Sequence, residues 1–311
     1  MAEHTNPLSA GWKILARNKR YVVWFYIVNL VLAWMGTVAF RQHASDILDH
    51  SLYADRLVHG FSLPAFIEML ARPEFGPVKA STVPSMTLAI LYLVLTLIFL
   101  PGVFVGFSSD HRISREEFFR ASGRNLWRFV RLAILFAIIA SVIVGILSGI
   151  QGALDKAADN SSMETLPFWN QVAFSILIFL VLTVIRIWFD LAEIDVVLAD
   201  QGAVRKSLRQ AIWGKRFRFW SLFRSYIAIA IVGCLIVFFG LWFWEAVVPA
   251  QSVLAALLVG QVILLLFLAM RFWQRASAVS IYLTGWHEEP VAQSVPVVPA
   301  TSPSPLGAGG I

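Results

Sequence analysis

Residues 115–154 read REEFFRASGRNLWRFVRLAILFAIIASVIVGILSGIQGAL, an arginine-laced segment that runs into a stretch without Asp, Glu, Lys or Arg from Leu132 to Leu154. A helix needs about 20 apolar residues to cross a hydrocarbon core of about 30 Å, and there only a helix or a closed barrel satisfies its own backbone hydrogen bonds. The uncharged half is therefore expected to cross a membrane. The arginine-rich half is expected to stay at one face of it, because Lys and Arg flanking such spans are held on the cytoplasmic side.

Five further runs have the same character: Tyr21 to Phe40, Ala80 to Ser109, Leu166 to Ile185, Ser225 to Trp244 and Ala246 to Met270. Six spans follow, at about 21–40, 84–109, 132–154, 166–189, 225–244 and 250–272, with Pro84 marking the start of the second. Glu245, Pro249 and Gln251 favour a tight turn between the last two. With 58% hydrophobic and 14% charged residues, and a mean hydropathy of +0.72, the chain of 311 residues needs lipid as its solvent. The single Cys234 lies inside an apolar run and is read as a small hydrophobe.

Basic residues concentrate in residues 1–20, in the connection before Leu132 and in the one before Ser225, whereas the other connections mix few cations with many carboxylates. Both ends of the chain are thus expected in the cytoplasm, with 41–82 an external segment, 21–289 the membrane domain and 290–311 a disordered cytoplasmic tail. The first run is too long for the apolar core of a cleaved leader and no small-residue cleavage pattern follows it. A formal charge of +6 would suggest nucleic acid in a soluble protein. Here its placement is a topology signal, so no nucleic-acid partner is expected.

Each basic segment reads as an amphipathic helix leading into a span. Asn6 caps the first with Pro7 at its first position; Ser114 and Glu117 form a capping box for the second, stapled by Ile113 and Phe118. In the third, Gly202 ends the preceding helix, and Val204, Leu208, Ala211 and Ile212 oppose Arg205, Lys206 and Arg209. The expected fold is an all-α integral membrane protein with six transmembrane helices in three repeated units, each with a cytoplasmic interfacial amphipathic helix. Short echoes accompany the repeat: Arg17-Asn18 with Arg124-Asn125, and Arg186-Ile187-Trp188 with Arg271-Phe272-Trp273.

With these motifs in place, the chain resembles the YciC-like and glycerophosphodiester phosphodiesterase membrane-domain group of bacterial multi-pass proteins. The resemblance is carried by Gly106 to Leu132, where a span end leads through Ile113-Ser114-Arg115-Glu116-Glu117-Phe118-Phe119 into a basic helix, and by Asp190 to Ile212, through Asp200-Gln201-Gly202-Ala203 into Ser207-Leu208. In the phosphodiesterases the chemistry resides in a separate soluble domain, so the resemblance implies a bacterial cytoplasmic-membrane module without a known reaction.

Candidate chemistry is sparse. His43, Asp46 and His50 share a helical face in the external segment and could ligate zinc, but an amphipathic surface helix with these residues facing water is the favoured reading. Asn29 and Gln261 suit an interhelical hydrogen bond. Arg186 and Asp190 lie one helical turn apart with Glu193 following, and Arg271 and Arg275 repeat the spacing. This set is expected as an ion-pair lock between the fourth and sixth spans, with an anion site or acid–base pair as the functional alternative. Arg120, Arg124 and Arg128, with Arg205, Lys206 and Arg209, are candidate contacts for anionic headgroups. No catalytic residue and no cofactor are expected. The leading function is a non-enzymatic protein that organises membrane lipids or membrane-protein partners; a transporter of a small or amphipathic solute and a membrane-bound lipid-modifying enzyme are the alternatives.

The charge asymmetry predicts that reporters fused after His59 and Ala157 are external and that those fused after Arg120, Ser207 and Pro299 are cytoplasmic. An external signal from the fusion at Pro299 is incompatible with an even number of crossings.

Overall fold

A computed structural model describes residues 6–48, 77–159, 165–200, 204–213, 219–249 and 252–286. Among these every regular element is an α-helix: α1 (Pro7–Arg17), α2 (Arg20–Leu48), α3 (Pro77–Ser108), α4 (Arg115–Asp159), α5 (Leu166–Leu198), α6 (Val204–Trp213), α7 (Phe219–Val247) and α8 (Val253–Trp286). Five are long and apolar enough to cross a membrane: Met86–Ser108, Arg115–Lys156, Phe168–Leu198, Phe219–Val247 and Leu254–Thr284. Over the described residues α2 contributes a shorter apolar part, Arg20–Gly36.

The helix starts follow from local chemistry. The Leu8 N–H donates to Asn6 Oδ1 at 3.1 Å with Pro7 behind it, and the Glu117 N–H donates to Ser114 Oγ at 3.1 Å. Both satisfy amide groups that have no partner within their own first turn. Two expectations are corrected. The third helix begins at Pro77, so Pro84 lies within it. The fifth ends at Leu198 without Gly202: the left-handed residue that follows is Asp200, with φ of 51°, and Gly202 lies outside the described residues.

The three basic segments differ in continuity. Nothing between Arg115 and Leu132 breaks a helix, so the second runs straight into its span as a single helix of 45 residues. The first is separated from α2 at Asn18, whose side chain donates to the Ile14 carbonyl. Its echo Asn125 makes the same bond to the Ala121 carbonyl, yet the helix continues there.

The helices pack chiefly at the arginine-rich end. There the start of α2, the end of α3, the start of α4, the end of α5, α6, the start of α7 and the end of α8 share one core, including Tyr21, Phe104, Phe129, Ile187, Tyr226 and Phe272. Phe25 and Phe107 both set their rings edge-on to Phe272, with centroids 5.0 and 6.4 Å away. Toward the other end the apolar side chains of α4, α7 and α8 are largely exposed, among them Ile138, Ile146, Phe238, Trp242, Leu254 and Leu258. In water that surface would cost about 25 cal/mol per Å²; against lipid tails it costs nothing.

The contacts have an order. α3, α5 and α8 each touch the other two, while α2 bridges α3 and α8, α4 bridges α3 and α5, and α7 bridges α5 and α8. α1 lies on α8: the Trp12 and Trp273 rings meet at a tilt with centroids 5.0 Å apart, and the Trp273 indole donates to the Leu8 carbonyl. Exposed Trp220 and Trp242 on α7 are 22 residues apart. At 1.5 Å per residue that is about 33 Å, the spacing of two headgroup belts.

Gly11 is the closest approach of α1 to α8, since a Cβ there would lie 2.7 Å from the Ser277 nitrogen and 2.8 Å from its Cα. Backbone atoms cannot step aside. Gly11→Ala is therefore expected to lower stability by about 1–3 kcal/mol despite better helix propensity. Gly149→Ala on α4, where the added methyl meets nothing within 4 Å, should be neutral or slightly stabilising. Thermal midpoints in one detergent compare the two; a harmless Gly11→Ala would mean that α1 does not dock this way.

Candidate functional site

Two polar groupings stand out, one on the surface of the arginine-rich end and one inside it. On the surface, α6 buries Val204, Ser207 and Ala211 against the bundle and leaves Arg205, Lys206 and Arg209 exposed. Among the described residues none of these three cations has a hydrogen-bonding or ion-pair partner. The corresponding helical turns of α4 differ. Arg120 pairs with Glu116 one turn earlier, Arg124 pairs with Asp200, and Arg128 donates to Asp200 Oδ1 at 2.7 Å. The expected headgroup set is thus divided: the α4 arginines have partners within the protein and the α6 cations face outward.

Asp200 joins α4 to the end of α5. Its positive φ is tolerated because a short polar side chain costs less there than a branched one. Hydrogen bonds from Arg124 and then Arg128 hold its carboxyl down to about 2. Arg17 plays a parallel part at the end of α3, donating to Asp110 Oδ1 at 3.2 Å and to the Ser109 carbonyl at 2.8 Å. Each aspartate stands two residues beyond its helix end.

Inside the bundle α5, α7 and α8 bring together Asp190, Glu193, Arg186, Tyr226, Gln274, Arg271 and Arg275. The Tyr226 hydroxyl donates to Asp190 Oδ2 at 2.7 Å, and Arg186 Nε lies 3.6 Å from the same oxygen. Gln274 Nε2 donates to the Tyr226 carbonyl at 3.3 Å. Arg275 and Arg186 are near enough to Glu193 to act on it electrostatically, but Glu193 Oε2 and Arg275 Nε are both sealed from solvent without a hydrogen-bond partner. Arg271 has a different setting: the residue is partly exposed, and its guanidinium lies 5.4 Å from the Phe267 ring centroid. The five charged residues of the expected lock do gather in one region. The direct contacts of Asp190 are to Tyr226 and Arg186, not to α8.

Asp195 is buried nearby and accepts from the Tyr282 hydroxyl at 2.9 Å. Asp200 and the two tyrosines were missed from sequence. Their signal was present in the excess of carboxylates on α5, which need donors once buried, and in tyrosines within otherwise apolar helices, whose hydroxyls need acceptors. The Tyr26 hydroxyl donates to Gln261 Oε1 at 2.9 Å, giving that amide its partner between α2 and α8.

The metal candidates cannot be placed. His43 and Asp46 fall in the part of α2 whose side chains lie outside the described residues, and His50 lies outside them altogether. Among the described residues no three His, Cys, Asp or Glu side chains are grouped as metal ligands. No family model matches the chain, nor does any curated protein or solved structure.

The depressed carboxyl of Asp200 fixes a pH dependence. Ordinary aspartate titrates near 3.9 in an unfolded chain, so this contribution to stability is fully present above about pH 5 and is lost as pH falls through about 2. The stability difference between wild type and Asp200→Asn should stay constant from about pH 5 to 8 and shrink below about 4. A difference that changes near neutrality would mean that Asp200 is not held by the two arginines.

Proposed function

We propose that the chain is a non-enzymatic protein of the bacterial cytoplasmic membrane that gathers anionic lipid, and the membrane proteins that lie in it, around its arginine-rich face. The observation that carries this reading is the outward row of Arg205, Lys206 and Arg209 on a helix whose opposite side is buried in the bundle. A docked helix holds its cations at a fixed level, and each basic residue near an anionic surface contributes about 1 kcal/mol. Exposed Trp24, Trp127 and Trp220 near the same end suit a headgroup belt.

The finer topology belongs to the same proposal: six crossings, both ends cytoplasmic, and three repeated units. Support for a first crossing comes from the 29 residues of α2, about 44 Å of helix against a core of about 30 Å. Support for the repeat comes from the packing order, in which the second membrane helix of each unit is central and the first bridges two of them. The pairs Arg17 with Asp110 and Arg124 with Asp200 add to it, since each joins a basic helix to the end of the central helix of its own unit. Kinship with the YciC-like membrane proteins is part of this reading and rests on the capped basic helix before Leu132.

Lipid recovered with the full-length protein from membranes of mixed composition tests the proposal. Anionic phospholipid should be enriched around wild type, and the triple change Arg205→Gln, Lys206→Gln, Arg209→Gln should remove much of the enrichment, as should high salt. Recovery of the bulk lipid composition by wild type at low salt would refute it.

A further inference from the structure

The polar cluster inside the bundle leaves one guanidinium without a carboxylate against it. Arg186, Arg271 and Arg275 act on one another and on two carboxylates, Asp190 and Glu193. Asp190 is engaged by Tyr226 and Arg186, and Glu193 is felt by Arg275 and Arg186. Arg271 is left over. Among the described residues it meets no carboxylate at ion-pair distance, and its organised contact is the face of Phe267.

The position makes that surplus costly. Arg271 is 17 residues into the candidate span Leu254–Thr284, and Arg186 is 18 residues into Phe168–Leu198. At 1.5 Å per residue both stand about 26 Å from the far ends of their helices, close to the inner limit of a hydrocarbon core of about 30 Å. A cation at this depth is rare unless it has an anionic partner or reaches the headgroups. Tyr92 on α3 is also near enough to interact with Arg271. Beyond it, toward the far end, the face of α8 that carries Arg271 presents exposed Phe267, half-buried Leu264 and exposed Leu257, a surface suited to acyl chains.

We propose that Arg271, backed by Arg186, binds the phosphodiester of a single phospholipid at the inner edge of the membrane, with the acyl chains lying along the exposed part of α8. A phosphodiester carries one negative charge and supplies the anionic partner that Arg271 lacks among the described residues. The planar fork of Arg271 presents two parallel N–H donors to two of its oxygens. The site rests on the reading that the protein organises lipid, but it selects differently from the surface helix. It requires the phosphate and is indifferent to net headgroup charge, so zwitterionic lipid serves as well as anionic lipid.

Native mass spectrometry of the full-length protein in detergent tests the site with four probes: phosphatidylcholine, phosphatidylglycerol, a glycolipid of matched chains and glycerol 3-phosphate. Both phospholipids should bind at one equivalent, about tenfold more tightly than the glycolipid, and should persist in about 0.5 M salt because a partly buried charge is weakly screened. Arg271→Gln should remove about tenfold of that affinity, and Arg271→Lys, which keeps the charge without the fork, should remove less. The triple change on α6 should leave this equivalent in place while removing much of the salt-sensitive enrichment of phosphatidylglycerol, so the two readings fail separately. Glycolipid binding equal to phospholipid binding would overturn the proposal, and so would affinity unchanged in Arg271→Gln. Displacement by equimolar glycerol 3-phosphate would make this a site for free phosphate esters and overturn the lipid assignment. Should the variants not fold, the headgroup comparison on wild type decides alone.

Discussion

The mutual contact of α3, α5 and α8 is the constraint on which the other helices depend. Each peripheral membrane helix reaches its place by bridging two of these three, and the core that closes around them lies at one end only. That end is where Phe272 meets Phe25 and Phe107 and where Asp190 accepts from Tyr226. Away from it the helices have less to hold them, because lipid tails solvate Leu and Ile as well as a neighbouring helix does. Specific packing in a membrane has to come from shape and hydrogen bonds. Both are concentrated at the arginine-rich end.

The same physics sets what could be read from the sequence. Runs free of charge announced membrane helices, and the caps at Asn6 and Ser114 were legible because a side-chain oxygen beside an unpaired amide is a local matter. Which face of a span meets protein was not legible. In a soluble helix the buried side is the apolar side, whereas in α3 or α8 the lipid-facing and protein-facing sides are both apolar. The continuation of α5 to Leu198 and of α8 to Trp286 was hidden for a related reason: charged residues enter after each uncharged run, but nothing in either segment stops a helix. Gly202 looked like the stop after α5. Asp200 took the left-handed position because Arg124 and Arg128 reward its carboxylate there, and both lie on a helix far away in sequence.

The charged residues were visible at once, yet their pairing was only partly so. Arg186 with Asp190 is a local pair one turn apart. The donor that completes Asp190 comes from α7, on which the uncharged run held a tyrosine with no obvious purpose. The basic helices show the same division between local and distant. Arg120 meets Glu116 within its own helix, while Arg17 and Arg124 reach aspartates just past the ends of other helices. Periodicity identifies the polar face in every case and is silent about whether that face meets water, a headgroup or another helix.

The seat of α1 has a consequence for biogenesis. Leu8 and Trp273 are bonded across 265 residues, and Gly11 rests on Ser277 with no room to spare. α1, which precedes every span described, therefore lacks this landing place until α8 has left the ribosome. At roughly 5–20 residues per second that interval is roughly ten to fifty seconds. Throughout it, Trp12 and the rest of the apolar side of α1 have only the membrane surface or a chaperone to cover them. Docking of α1 is a late step, one that cannot precede the arrival of α8.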